Sequence, residues 1–142
     1  MAIQYSLIEF LESTVTGLSY RYIRDKKKER LGLYEYSDSR KVFVNFLRHR
    51  QPFCDHFTDQ TIAGDFYSSV RCGLLHEART KNGWTIKARA PKGALIDAAK
   101  KIVYRNNFQL ALVKFIECYK EVLLTDVSLQ AAFIRKFDSL CQ

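Results

Sequence analysis

Prolines and long apolar runs are scarce in this sequence, and each scarcity excludes a class of protein. Only Pro52 and Pro91 interrupt the 142 residues, without internal repeats or linkers, so we expect one domain over residues 1–142. No apolar run approaches the roughly 20 residues that cross a bilayer, and we expect no membrane partner. The N-terminal segment lacks a basic stretch and contains Glu9 and Glu12, which argues against a signal peptide and favours a cytoplasmic protein.

Paired metal ligands are also missing. The cysteines are Cys54, Cys72, Cys118 and Cys141, and the histidines are His49, His56 and His76. No two cysteines have the short spacing of structural zinc sites, and the histidines are scattered. We therefore expect no metal and no cofactor. The cysteines are expected to act as small buried apolar residues in a reducing compartment.

Positive charge is in excess. Lysine and arginine total 23 against 15 acidic residues, which gives a net charge of +8 and an isoelectric point near 9.4. Such a balance suits a polyanionic partner, nucleic acid before a membrane surface. A basic surface can also serve only solubility, and charge alone leaves both interpretations open.

Apolar residues recur mostly at helical spacing, which predicts an all-α bundle of five to six helices. Helices are expected over about 3–24, 39–50, 59–78 and 108–124, and from Asp126 onward. The charge run at 24–30 is expected to be a solvated helix end, with phosphate contact as the alternative. The expected N-cap residues are Ser37 or Ser39, Thr58 or Asp59, and Asn106 or Asn107. The second helix carries Arg40, Lys41, Arg48 and Arg50 opposite its apolar stripe.

One β excursion is expected around residues 79–90. Asn82-Gly83 is a strong signal for a type I′ hairpin turn, and the next four residues alternate as a short strand does. The following stretch, 95–105, fits a helix, although Ile102-Val103-Tyr104 can also be extended.

The segment Arg71-Cys72-Gly73-Leu74-Leu75-His76-Glu77 carries the functional signal. On a helix, Arg71 and His76 lie about 140° apart, so both reach one ligand only in a cleft that crosses the helix. A two-fold dimer provides such a cleft. Histidine exchanges protons near neutral pH, and arginine clamps phosphate oxygens. Because RNA supplies its own 2′-hydroxyl nucleophile, this pair is suited to metal-free RNA cleavage that leaves a 2′,3′-cyclic phosphate. Gly73 indicates close packing, either with a partner helix or within the chain.

This motif, late in a helix of a small helical domain, resembles the HEPN superfamily, whose hallmark is an arginine followed four to six residues later by histidine. The continuation at 78–84 is similar to small bacterial members of the plasmid, phage or host-defence type. The resemblance implies a homodimer joined through the motif helices. It implies a metal-independent endoribonuclease of a toxin–antitoxin or phage-defence system, with an antitoxin protein as a candidate partner. Other members of the superfamily are inactive RNA-binding or scaffolding modules.

By position in the motif, the resemblance makes Arg71 the phosphate clamp and His76 the acid or base. Active members often have Asn, Asp or His directly after the arginine, whereas this chain has Cys72, a poor hydrogen bonder. This departure bears on the catalytic rate more than on the fold. Glu77 is not expected to be catalytic.

Residues around the motif are candidates for RNA binding. Arg79, Lys81 and Lys87 can track a phosphate backbone or form an exposed basic hairpin. Tyr67 can stack on a base, or it can belong to the core or the dimer seam. Trp84 can stack on RNA or anchor the hairpin to the bundle, and we favour the anchor. The alternative to the nuclease is a non-catalytic RNA-binding or protein-interaction module. A DNA-binding regulator fits less well, because segment 66–78 is too apolar for a recognition helix.

Overall fold

The computed structural model describes residues 2–25 and 27–141. Helix α1 (Ala2–Thr16) buries Tyr5, Ile8 and Leu11 at steps of three residues. It ends well before Arg24, because Gly17 adopts a left-handed φ of 69° and Leu18 donates its N–H back to the carbonyl of Ser13. The predicted extension to Arg24 is therefore wrong, and the charge run begins in a loop. Lys26 of that run lies outside the described residues.

Strand β1 (Ser19–Tyr20) pairs in parallel with β2 (Glu35–Tyr36), and α2 (Ser39–His49) follows directly. The expected apolar stripe of α2 is buried. Its N-cap is Asp38, whose carboxylate accepts from the N–H of Lys41 at 3.0 Å, and not the predicted serines. A short 3₁₀ turn (Phe53–Asp55) follows.

The third predicted helix is confirmed as one continuous helical segment over 60–77, which contains the motif and is called the motif helix. It comprises α3 (Gln60–Phe66), a π-helical turn (Tyr67–Arg71) and α4 (Cys72–Glu77). Asp59 caps it, as expected, by accepting from the backbone N–H groups of Thr61 and Ile62. The π turn ends at Arg71, the first residue of the motif.

The chain is mostly helical, but the all-α prediction is wrong in one respect. After α4, β3 (Thr85–Lys87) pairs in parallel with β5 (Ile102–Tyr104), which pairs antiparallel with β4 (Ile96–Asp97). The order β3-β5-β4 replaces the expected hairpin at 79–90. Asn82 and Gly83 do adopt the left-handed φ values that a type I′ turn needs, 52° and 83°, but residues 78–81, which lead into that turn, form no strand. A 3₁₀ turn (Pro91–Gly93) lies between β3 and β4.

Two helices close the fold. Helix α5 (Arg105–Leu123) starts straight from β5 with Tyr104 at its N-cap and no side-chain cap, so the predicted asparagine caps are wrong. Helix α6 (Val127–Leu140) begins at the expected Asp126, which accepts from the N–H of Leu129 at 2.9 Å. Helix α6 packs on α1, where Arg135 donates to the carbonyl of Gly17 at 3.1 Å.

The core is aromatic and centres on Phe66. Its ring lies within 6.5 Å, centroid to centroid, of five other aromatic rings that come from α1, α2 and three other segments. The rings are Tyr5, Phe43, Phe57, Trp84 and Phe108. Three of these pairs are edge-to-face and two are stacked, and both arrangements add to the stabilisation that apolar burial supplies. The core therefore holds the motif helix against α1, α2 and the helix that begins at Arg105.

The cysteines depart from the expected burial, since Cys118 and Cys141 are exposed and Cys54 and Cys72 are half-buried. All four are free thiols. Within residues 2–25 and 27–141, no helix combines the length and the apolar character needed to cross a membrane.

Asp65 fastens the small sheet to the motif helix. Its carboxylate accepts from the Ser69 hydroxyl at 2.6 Å and the Trp84 indole at 3.0 Å, and Lys101 lies 3.3 Å away. Partial burial opposes ionisation, but the hydrogen bonds from Ser69, Trp84 and Lys101 outweigh it and hold the pKa of Asp65 below its usual range.

Asp65→Asn is expected to lower the free energy of unfolding by about 1–2 kcal/mol at pH 7. Because the pKa of Asp65 is lower in the folded state, this contribution is present above the unfolded pKa of about 4 and is lost as the pH falls through the folded pKa. Urea denaturation from pH 7 to pH 3, beside the exposed control Asp138→Asn, checks this. A gap between wild type and variant that stays constant with pH would contradict the role of the carboxylate.

Candidate functional site

The motif helix is distorted just where Arg71 lies. The N–H of Cys72 bonds to the carbonyl of Tyr67, five residues earlier, instead of closing an α-helical turn. Single π turns of this type occur frequently at functional sites. Arg71 is the last residue of this turn, and its side chain contacts α1.

Arg71 is held by contacts from two elements. Its Nη2 donates to Oε2 of Glu9 on α1 at 3.2 Å, and its guanidinium carbon lies 5.2 Å from the centre of the Tyr67 ring. The side chains of Arg71 and Glu9 are only 14% and 15% exposed. Its Nη1 faces the Cys72 thiol at 3.9 Å, a weak acceptor, and its Nε is buried without a partner. The guanidinium is thus fixed in place, and one carboxylate balances its charge.

Two tyrosines complete this cluster. Tyr36 donates its hydroxyl to Glu9 at 3.1 Å, and burial, reinforced by the charge of Glu9, raises the pKa of Tyr36. Burial also raises the pKa of Tyr67 to about 12, against the opposing effect of the Arg71 charge. Both phenols therefore stay protonated at neutral pH and act as hydrogen-bond donors, not as bases.

His76 has a contrasting environment. It lies in the last turn of α4, is exposed to solvent, and makes no hydrogen bond or ion pair to any described residue. It lies five positions after Arg71 in the helix, a step that corresponds to about 140° around the axis and about 7.5 Å along it. The fold of one chain therefore does not bring Arg71 and His76 onto one face.

The end of the motif helix accounts for Gly73. Ala78 takes a left-handed φ of 55°, and the N–H of Arg79 returns to the carbonyl of Gly73. A Cβ at Gly73 would lie 2.5 Å from the carbonyl oxygen of Arg79. Of the two explanations open from the sequence, the close contact within the chain is the one observed.

The basic residues after the motif are engaged with Glu77. Lys81 forms an ion pair with its carboxylate, and Arg79 lies 3.3 Å from it while remaining 77% exposed. The hydrogen bond from Lys81, with help from Arg79, lowers the pKa of Glu77. Glu77 is thus a counterion of the two predicted RNA-binding cations, and Lys87 lies exposed on β3.

Trp84 is 4% exposed, and its indole N–H bonds to Asp65. It anchors the segment after the motif to the bundle, which is the interpretation that we favoured, and it is not available for stacking on RNA. No cluster of three or more metal-binding side chains is present among the residues that the structure describes.

Comparison with protein-family models, curated proteins and solved structures found no match.

Sequence reasoning missed Glu9 and Tyr36 as neighbours of Arg71. Glu9 lies 62 residues before Arg71 in the chain, and Tyr36 belongs to a two-residue strand. In the sequence, Glu9 directly follows Ile8, an apolar residue of α1. This neighbouring position was the only local indication that Glu9 is half-buried.

Proposed function

We propose that this protein is a metal-independent endoribonuclease of a toxin–antitoxin or phage-defence type, which acts as a homodimer with HEPN-like architecture. The observation that carries the proposal is the contrast within one helix: a rigidly held arginine, Arg71, and an exposed histidine, His76, that has no other described partner. The motif resemblance and the net charge of +8 add support.

The chemistry follows from these two groups. The 2′-oxygen of RNA attacks the adjacent phosphorus, and the bond to the 5′-oxygen of the next nucleotide breaks. His76 accepts the proton of the 2′-hydroxyl or supplies one to the leaving oxygen, since imidazole does both near neutral pH. Arg71 stabilises the charge that develops on the phosphate oxygens. The products are a 2′,3′-cyclic phosphate and a 5′-hydroxyl.

Glu9 determines which nitrogen of Arg71 is left to bind the substrate. It occupies Nη2, whereas Nη1 faces only the thiol of Cys72. A phosphate oxygen binds better than a thiol does, so Nη1 is the donor that remains for substrate. Glu9 acts here as a positioning residue that orients the guanidinium from the opposite side.

A homodimer brings Arg71 and His76, which are separated on one helix, to the same phosphate. Since Arg71 and His76 lie about 140° apart on one helix, a single phosphate meets both only where the helix lies against a second copy. In that arrangement Arg71 of one protomer works with His76 of its partner. A cellular role in growth inhibition or defence adds an antitoxin protein as a further partner.

The second candidate is a non-catalytic HEPN-like module that binds RNA or a protein. The observation in its favour is the ion pair between Arg71 and Glu9, which neutralises the proposed clamp inside one chain. In that case Arg71 serves to fasten the motif helix to α1.

Incubation with a mixed tRNA and mRNA pool in EDTA separates the two. The nuclease yields fragments that end in a 2′,3′-cyclic phosphate. This end resists alkaline phosphatase, which removes the phosphate only after acid treatment has opened the ring. Absence of cleavage by the purified dimer, or cleavage that leaves 3′-hydroxyl ends, would contradict the proposal. RNA binding without cleavage would favour the second candidate.

A further inference from the structure

A basic cleft lies on the polar face of α2, away from the Arg71–Glu9 contact. Its volume is about 330 Å³, and α2 and the start of α3 line it. Three cations face it, Arg40, Lys41 and Arg48, against one carboxylate, Asp38. One oxygen of that carboxylate already accepts the N–H of Lys41. The cleft is therefore positively charged on balance.

The cations of this cleft are available to a ligand to different degrees. Arg40 and Lys41 are exposed, and in the described part of the chain neither has a carboxylate within 4.0 Å. Arg48 donates to the backbone carbonyls of Phe57 and Thr58, which fixes it as part of the wall. The first two cations are thus free to pair with a phosphate.

Gly64 allows Arg40 to lie against the motif helix. A Cβ at Gly64 would come within 2.5 Å of Nη2 of Arg40, so the missing side chain leaves room for the guanidinium on the surface of α3. The guanidinium is thereby placed over the helix that carries Arg71 two turns later.

A second cavity continues from the cleft and is aromatic. It measures about 460 Å³ and shares Asp38 and Arg40 with the cleft. Tyr20, Tyr22 and Tyr67 line it, and the first two are 51% and 73% exposed. Tyr67 is also the ring against which Arg71 packs. The two cavities meet at Asp38 and Arg40 and are together called the groove, whose aromatic end is lined by Tyr67, the ring beside the proposed catalytic arginine.

We propose that this groove binds single-stranded RNA, with phosphates on Arg40 and Lys41 and an unpaired base stacked on Tyr22. The inference rests on the proposed function, for which it supplies the path of the substrate into the site. Exposed aromatic rings beside unpaired cations are the combination that binds single strands, because every base has a face for stacking. A duplex keeps its bases stacked internally and offers no such face.

The cations are tested with a fluorescein-labelled 12-nucleotide 2′-O-methyl RNA, which lacks the attacking hydroxyl and is not cleaved. Fluorescence anisotropy is measured in EDTA at several salt concentrations. Arg40→Gln/Lys41→Gln is expected to weaken binding roughly tenfold and to reduce the slope of log K against log salt by about 1.4, or about 0.7 per cation. The control Lys114→Gln/Lys120→Gln removes two exposed cations from α5 and is expected to change neither quantity.

The aromatic contribution is tested separately. Tyr22→Ala is expected to weaken binding roughly tenfold without changing the salt slope, because a stacking contact releases no counterion. Tyr22→Phe retains the ring and is expected to bind like wild type. A duplex of the same sequence is expected to bind more weakly and to be insensitive to Tyr22→Ala.

Unchanged affinity and salt slope in the Arg40/Lys41 variant would overturn the inference, as would duplex binding that equals single-strand binding. Failure of the nuclease proposal has a different signature. If unmodified RNA is never cleaved but the groove variants still weaken binding, the result supports RNA binding in the groove and contradicts the catalytic assignment. If cleavage occurs with a KM that the groove variants leave unchanged, the nuclease stands and the groove falls.

Discussion

RNA cleavage is expected to fall at least about 100-fold when His76 is replaced by alanine, while folding and RNA affinity are expected to stay unchanged. General acid–base groups typically contribute 10²–10⁴-fold to a rate, and the loss of the only imidazole on the motif helix removes that contribution. Because His76 is exposed and makes no hydrogen bond or ion pair to a described residue, its truncation removes no such interaction. The measurement is the single-turnover rate with saturating enzyme. His56→Ala, which replaces a half-buried histidine outside the motif, is the control and is expected to keep its rate.

The composite site predicts complementation between two inactive variants. Arg71→Gln retains a donor for Glu9 and is expected to fold, but it lacks the guanidinium. When Arg71→Gln and His76→Ala are mixed and their subunits exchange, each mixed dimer contains one site with both native groups. About a quarter of the wild-type activity is then expected at equal concentrations.

Two outcomes would contradict this account. Full activity of His76→Ala would remove histidine from the mechanism. Inactive single variants whose mixture also stays inactive, despite subunit exchange shown by differently tagged chains, would place Arg71 and His76 of the same protomer in one site or assign both to assembly.

Helices with a strong apolar period and a clear cap could be predicted from the sequence. The segment 60–77 and α6 start at Asp59 and Asp126, where a short carboxylate side chain accepts from the first free N–H groups. The end of α1 was missed because the apolar period continues past Gly17. A glycine lowers the stability of a helix only slightly by its intrinsic propensity. At Gly17, the left-handed φ of 69° and the packing of Arg135 against it end the helix.

The three-stranded sheet could not be predicted because its pairing is long-range. Residues 95–105 fit a helical period, yet Lys101 takes a left-handed φ of 52° and the next three residues pair with β3 and β4. A parallel partner that lies 17 residues earlier leaves no local pattern. The turn at Asn82-Gly83 has the conformation that its sequence favours. A turn alone, however, does not determine the partner of the strand that follows it, which here is β3.

The same distinction applies to the candidate site. The motif spacing placed Arg71 and His76 on one helix, and helical geometry separated their directions. The sequence did not reveal Glu9 as the partner of Arg71, since that contact depends on how α1 packs across the π turn. The positive face of α2 was visible in the sequence, but its continuity with Tyr20 and Tyr22 required the fold.

Glu12→Ala is expected to lower the free energy of unfolding by about 3 kcal/mol, because it leaves the guanidinium of Arg50 and the amide of Asn45 without their buried acceptor. The Glu12 side chain is 2% exposed and accepts from Nε and Nη2 of Arg50 at 2.8 and 3.0 Å, and from the amide of Asn45. Truncating one partner of a buried pair costs more than the pair itself contributes, since the remaining charge stays desolvated. Arg50, at 28% exposure, recovers part of that cost from water.

A double-mutant cycle measures this coupling. Arg50→Ala and Glu12→Ala, alone and together, are compared by urea denaturation at pH 7, and the double variant is expected to lose clearly less than the sum of the single losses. Strictly additive losses would show that Glu12 contributes through packing and not through Arg50. Because this pair joins α1, which carries Glu9, to α2, which carries Arg40 and Lys41, it also holds the arginine-positioning contact and the basic groove in one fixed arrangement. Well below the lowered unfolding temperature, Glu12→Ala is therefore expected to reduce RNA cleavage more than RNA binding, since catalysis depends on that alignment and phosphate contacts depend on it less.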